Sequence, residues 1–251
     1  MRSTVKTPWL GAALVALLLG IAGYTAFFIA PTERTMGDIQ RIFYFHVTSA
    51  WTGFLSFFIV FIANVAYLVA RKPRWDSLAV SAAEVGLAFT TVVLVTGPIW
   101  AHPVWGIWWT WDARLTSTFV LWLLYVVYLI LRNLLEDPER RATVSAVYGI
   151  FAFLDVPIVY MSIRWWRTQH PQPVIAGGSG SGLDATMWRV VLVCWAALLS
   201  LMVLVLRSRY QLEKLRHEVA ELSYEIDSRA PGTGSRGLAR QETGGQGGAT
   251  R

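Results

Sequence analysis

Residues 51–70 read "WTGFLSFFIVFIANVAYLVA". Twenty positions pass without a single charged side chain. A helix of that length rises about 30 Å, which is the thickness of a bilayer's hydrocarbon core. Lipid offers no hydrogen bonds, so a segment crossing it must satisfy its own backbone, and an α-helix does so within one run of chain. Five more runs of this kind follow the same logic, at roughly 9–30, 77–100, 116–132, 143–163 and 187–206. The fold class expected is therefore an all-α integral membrane protein with six transmembrane helices. The fourth run is the shortest and is predicted to borrow residues from the loop before it.

Composition agrees. The 251 residues are 55% hydrophobic and 15% charged, whereas a soluble globular domain carries about 25% charge. The polar residues fall in short islands between the apolar runs. The first run is too long for a secretory signal and lacks a small-residue cleavage site, so it reads as an uncleaved anchor.

The basic residues set the expected orientation. With the N-terminus in the cytoplasm, the inner segments hold Arg2, Lys6, Arg71, Lys72, Arg74, Arg132, Arg140, Arg141, Arg207, Arg209, Lys214 and Arg216. The outer loops hold only Arg34, Arg41, Arg114, Arg164 and Arg167. The positive-inside rule then predicts both termini in the cytoplasm and the loops 31–50, 101–115 and 164–186 outside. The net charge of +6 reflects this asymmetry and marks no nucleic-acid surface. Lipid is the expected surrounding.

Residues 1–206 read as the membrane domain. Residues 207–227 follow as a cytoplasmic amphipathic helix, with Leu212, Leu215, Val219, Leu222 and Ile226 spaced by three and four. That seam suits a helix resting on the membrane or bundle, or a docking helix for a cytoplasmic partner. Residues 228–251 are rich in Gly, Ser, Thr and charge, and are expected to be disordered. The single cysteine, Cys194, has no partner for an internal disulfide or a C-x-x-C pair, which excludes thiol–disulfide chemistry by this chain alone.

The second outer loop is the unusual one. Residues 105–116, "WGIWWTWDARLT", hold four of the chain's 13 tryptophans. If 104–116 is helical, Trp105, Trp108, Trp109, Asp112 and Thr116 share a face and Arg114 opposes it. Each indole offers about 150–250 Å², worth roughly 4–6 kcal/mol when buried at about 25 cal/mol/Å². Such a face rests on lipid as an interfacial anchor, packs on the bundle, or covers a large flat ligand. His46 in the first outer loop and His170 in the third bracket it. Two imidazoles beside an indole platform suit a planar, apolar, metal-bearing ligand, and haem fits: its iron takes two neutral imidazoles and its propionates take arginine.

The stretch "WGIWWTWDARLTS" resembles the tryptophan-rich WWD signature of the haem-handling proteins of cytochrome c maturation. With "IFYFHV" before the second span and "PIVYMSIRWWRTQH" after the fifth, the chain resembles the haem exporter protein C family, CcmC, over about 9–206. The resemblance implies that His46 and His170 are axial ligands of a non-covalently held haem b. It implies that Trp105, Trp108, Trp109, Trp111 and Asp112, in the WWD loop of about 100–117, form the platform under the ring. Arg114 is a candidate propionate partner, together with Arg41, Arg164 and Arg167. The resemblance further implies a place in the inner membrane and delivery of haem to the chaperone CcmE, with CcmA, CcmB and CcmD assisting. Haem delivery, possible promotion of attachment to CcmE included, is then the role, rather than an enzymatic conversion.

His102 does not match a family ligand and reads as a residue of the platform edge. Glu84 and Asp155 lie within spans and read as bundle-interior polar groups, Asp155 as a cap for backbone freed by Pro157. The alternative function is a haem lyase of the CcmF or CcsA type. Those relatives carry histidines within the spans, and here none falls at mid-membrane. A self-sufficient transporter would show internal repeats, and none is evident. A structural subunit with an aromatic anchor would bind no ligand. Reporter fusions after Arg74 and after Arg207 should read as cytoplasmic and one within 176–183 as external; an external signal at Arg74 would overturn the topology.

Overall fold

In a computed structural model, the described residues are 8–171, 173 and 183–229. Arg2, Lys6, the Gly/Ser run of the third loop and most of the tail expected to be disordered lie outside them. Helix α1 spans Pro8–Tyr24 and continues as a π-helical turn, Thr25–Ile29. A 3₁₀ turn, Asp38–Arg41, leads into α2, Ile42–Ala70. Then come α3 (Pro73–Trp105), α4 (Ala113–Leu134), α5 (Pro138–Phe153), α6 (Asp155–Trp165) and α7 (Ala185–Arg229). Among the described residues six helical segments are long and apolar enough to cross a membrane: Trp9–Ile29, Asp38–Ala70, Pro73–Trp105, Ala113–Leu134, Pro138–Trp165 and Ala185–Ser228. The chain is a multi-pass membrane protein.

The helix ends follow local chemistry. Lys72 is extended and Pro73 opens α3, where a missing N–H costs nothing. Arg71, at φ 53°, closes α2 in the left-handed region. Asp112 caps α4, its side chain accepting from the Leu115 amide, so α4 starts three residues before the apolar run and gains its length there. Asp137 does the same for α5 through the Arg140 amide.

Two expectations need correction. The helix supposed over 104–116 does not form. Helix α3 runs through Pro98 and Pro103 to Trp105, and Gly106, at φ 76°, ends it; residues 107–112 are irregular. Glycine takes that conformation freely, whereas residues with a Cβ adopt it rarely and under strain. Asp155 also makes no capping bond. The fifth crossing breaks at Leu154, one turn before Pro157, whose ring removes an N–H and crowds the preceding turn. One oxygen of Asp155 is buried there without a hydrogen-bond partner among the described residues.

Helices α2 and α3 form the centre and approach closely because small residues line the seam. A Cβ on Gly86 would fall 2.5 Å from the Phe57 ring, and one on Gly53 would fall 3.1 Å from the Thr90 hydroxyl. Close approach of this kind drives helix association where no hydrophobic effect operates between helices. Phe57 then stacks on Tyr125 of α4 with centroids 3.7 Å apart. Thr52 and Ser56 are buried, yet each hydroxyl donates to the carbonyl four residues back, at 2.7 and 2.9 Å, and none is left unsatisfied. A second cluster joins Ala22 and Ala26 to Tyr44 and to Val190, Val191, Cys194 and Ala197 of α7.

Two ion pairs tie the bundle. Arg132 of α4 grips Asp76 of α3 through two bonds of 2.6 and 2.8 Å, both residues being buried. Glu84 pairs with Arg209 of α7, which accounts for a carboxylate within the third span as a structural group. A second unit begins at Leu212. Its described part is helical, and Leu212, Leu215, Val219, Leu222 and Ile226 are all exposed along it. Asp76→Ala should destabilise the protein by about 3–5 kcal/mol, because it strands a buried guanidinium. Replacing both partners, as Asp76→Leu with Arg132→Met, should recover most of the loss in a thermal unfolding measurement in detergent.

Candidate functional site

His46 lies in the second turn of α2 and faces α3. Its Nδ1 is 2.8 Å from the Thr96 hydroxyl oxygen. Thr96 already donates its proton to the Val92 carbonyl at 2.7 Å, so that oxygen can only accept. The imidazole must therefore carry its proton on Nδ1, leaving the Nε2 lone pair free. Gly97 makes room for the ring: a Cβ there would sit 3.5 Å from His46 Cε1.

His170 reaches the same state by another route. Its Nδ1 is 2.9 Å from the Pro171 carbonyl, which can only accept, so Nδ1 is again the protonated nitrogen. Burial pushes its pKa down to about 4, and the Arg114 charge adds to the effect while Asp112 opposes it. His170 is neutral at physiological pH. The two imidazoles, drawn from segments more than 120 residues apart in the chain, line one cavity.

The space within and in front of that cavity, open solvent included, is about 1300 Å³. Its walls are Phe43, Val47 and Phe54 of α2, Leu94, Pro98 and Trp100 of α3, and Trp105 and Trp109 of the tryptophan segment. Trp100 and Trp105 meet edge to face at 5.1 Å. The Trp109 indole N–H is buried without a partner among the described residues, so one donor is available within a largely apolar wall. Arg114 also lines the cavity; its Nη1 donates to the Val159 and Tyr160 carbonyls at 2.6 and 3.4 Å. Backbone dipoles hold this cation in place without neutralising it.

The remaining candidates are distributed differently. Trp108 turns away, stacks on His102 at 4.2 Å and is exposed, and Trp111 is 74% exposed. Neither they nor His102 are among the lining residues. Asp112 is also off the wall. One of its oxygens caps α4, and the other accepts from the Thr168 hydroxyl at 2.6 Å and the Gln169 amide at 3.3 Å. Arg41 is committed to Asp38 and to the Ala26 carbonyl, and Arg164 lies over the Tyr160 ring. Among the described residues no group of three or more His, Cys, Asp or Glu is placed to hold a metal ion. Thr96, Tyr160 and Thr168 are site residues that the sequence reading missed.

The sequence family described as Heme exporter protein C matches residues 2–225. A protein of that name from Bradyrhizobium diazoefficiens is 36% identical over 222 residues, covering 88% of this chain and 84% of the relative. Another from Haemophilus influenzae is 31% identical over 207 residues, covering 82% and 84%. A "Putative cytochrome c biosynthesis ccmC-like mitochondrial protein" from Marchantia polymorpha is 32% identical over 180 residues, covering 72% and 76%.

The depressed pKa of His170 gives a pH signature. Between the ordinary histidine value near 6.5 and about 4, the unfolded chain binds a proton at this position and the folded chain does not. Folding stability therefore rises with pH across that window and is lost as pH falls through it. The melting temperature of ligand-free protein in detergent should drop between pH 7 and 4.5, and His170→Gln should flatten the drop. Parallel profiles for the two proteins would contradict a His170 held neutral by the fold.

Proposed function

This chain belongs to the haem exporter protein C family, part of cytochrome c biogenesis, and we propose that it binds haem between His46 and His170 and presents it to the chaperone CcmE. The observation that carries the reading is the pair of imidazoles in one aromatic cavity, each with its Nε2 lone pair free. Two nitrogen donors are too few for a bare ion but suffice for an iron whose other four positions belong to a porphyrin. Bound haem supplies an iron that accepts these two nitrogens and carboxylates that carry negative charge.

The other residues fit such a cargo. Trp105 and Trp109 offer indole walls to a flat ring, and the Trp109 N–H is an orphaned donor for a polar edge. Arg114 is a half-buried cation lining the cavity, its hydrogen bonds among the described residues going to carbonyls, suited to a propionate. The aromatic anchor reading applies better to Trp108 and Trp111, which face outward. No C-x-x-C-H motif is present, so retention is non-covalent and transfer remains feasible. The charge asymmetry supports a place in the inner membrane with the termini cytoplasmic and the cavity at the outer face. There CcmE would receive haem, and CcmA, CcmB and CcmD would act on the loaded complex. The family match along most of the chain favours delivery over the lyase alternative.

The test is spectroscopic. Purified protein should carry a six-coordinate low-spin haem. His46→Gly and His170→Gly should each shift the spectrum and weaken retention by about tenfold or more, with added imidazole restoring part of both. His102→Gly should change neither. Trp109→Ala should reduce haem content well below Trp111→Ala. An unaltered low-spin spectrum in either glycine variant would refute the ligand assignment.

A further inference from the structure

We propose that Asp112, the acid of the tryptophan signature, is a positioning residue that acts through Thr168 on His170 and does not touch the ligand. The inference rests on the proposed haem site. It reverses the expectation that Asp112 belongs to the platform.

Both oxygens of the carboxylate are engaged away from the cavity. Its Oδ1 accepts from the Leu115 amide at 2.9 Å, and its Oδ2 accepts from the Thr168 hydroxyl at 2.6 Å and the Gln169 amide at 3.3 Å. The Thr168 oxygen in turn accepts from the His170 amide at 3.0 Å. A short O–H···O⁻ bond is among the stronger hydrogen bonds available to a side chain. The carboxylate also sits at the N-terminus of α4, where the helix dipole favours its charge. Neither Asp112 nor Thr168 lines the cavity.

The segment needs such a fastening. Helix α6 ends at Trp165, and the Trp166 amide makes the last helical bond, to Ser162. From there to His170 no secondary structure fixes the chain. His170 owes its tautomer to its neighbour Pro171, but that bond moves with it and fixes nothing relative to the bundle. The Asp112–Thr168 link is what refers the imidazole to α4, the helix that also carries Arg114. His46 needs no counterpart, being held on a continuous helix and bonded to Thr96 of the next. A carboxylate aimed at the ligand would oppose propionates. Turned toward Thr168, it fixes the nearby histidine and stands off the cavity wall.

The test compares full-length Thr168→Val, Thr168→Ser, Asp112→Ala and His170→Gly, each purified with haem. Thr168→Val keeps the α4 cap and the weaker Gln169 amide bond, and removes the short hydroxyl bond to Asp112 together with the acceptor of the His170 amide. It should lose low-spin haem toward the His170→Gly state, weaken retention by about tenfold, and regain the six-coordinate spectrum with added imidazole. Asp112→Ala should do the same, and Thr168→Ser should behave as the unsubstituted chain. Combining Thr168→Val with His170→Gly should be no worse than His170→Gly alone, because the two act as one unit. Thr168→Ala serves equally if the valine variant does not accumulate. An unchanged spectrum in Thr168→Val, with His170→Gly shifted, would overturn this role while leaving the haem site standing. An Asp112→Ala defect deeper than that of His170→Gly, and insensitive to imidazole, would show the carboxylate contacting the ligand and would overturn it as well. A His170→Gly spectrum equal to that of the unsubstituted chain would instead remove the haem site on which the inference rests.

Discussion

The close approach of α2 and α3 is the constraint on which the cavity depends. Phe57 lies against Gly86, Gly53 against Thr90, and His46 against Thr96 and Gly97. These pairs keep one antiparallel register, the partner's number falling by about as much as the residue's own number rises. The contact that lets two helices touch deep in the bundle therefore also determines which hydroxyl meets the imidazole near its end. A slip of one residue would turn Thr96 away from His46 and release the proton on Nδ1. Packing and ligand chemistry are here one set of contacts.

Charge is handled in three ways in the same bundle. Asp76 and Arg132 neutralise each other in a buried two-bond pair, and Glu84 meets Arg209 at less complete burial. Arg114 differs from both. Its partners are carbonyls, which orient the guanidinium and leave its charge in place. A cation set in a low-dielectric wall stabilises an anion more strongly than the same group would in water.

The crossings were legible because lipid demands length and apolarity together, and both can be read position by position. The extension of α4 to Ala113 was legible too, since the fourth run was short and an aspartate stood before it. The same aspartate was expected on a helix face that does not form. Treating 104–116 as helical put Asp112 on a face with Trp105, Trp108 and Trp109, although Gly106 and the Asp112 cap were both signals to stop and restart. Their effect is to separate the indoles: Trp105 and Trp109 reach the cavity and Trp108 does not. The histidines could be picked out by type and by place in the chain. Thr96 could not, because a hydroxyl in an apolar run usually bonds its own helix, and this one does so as well. Its second bond exists only through the tertiary register. Thr168 was hidden for the same reason.

The break at Leu154 divides the fifth crossing into two levers. Helix α5 packs on α2 and α4, while α6 packs chiefly on α4 and lends its carbonyls to Arg114 before the chain turns toward His170. Pro157 has no amide proton to give, so a rung of the ladder is already missing where the two levers meet. Bending at that joint stretches fewer bonds than bending anywhere else along the crossing. A push on the upper lever would thus tilt Arg114's supports and the His170 segment together, with the lower lever and the central α2–α3 pair standing still. The crossing is stiff as a membrane anchor and compliant where it borders the cavity.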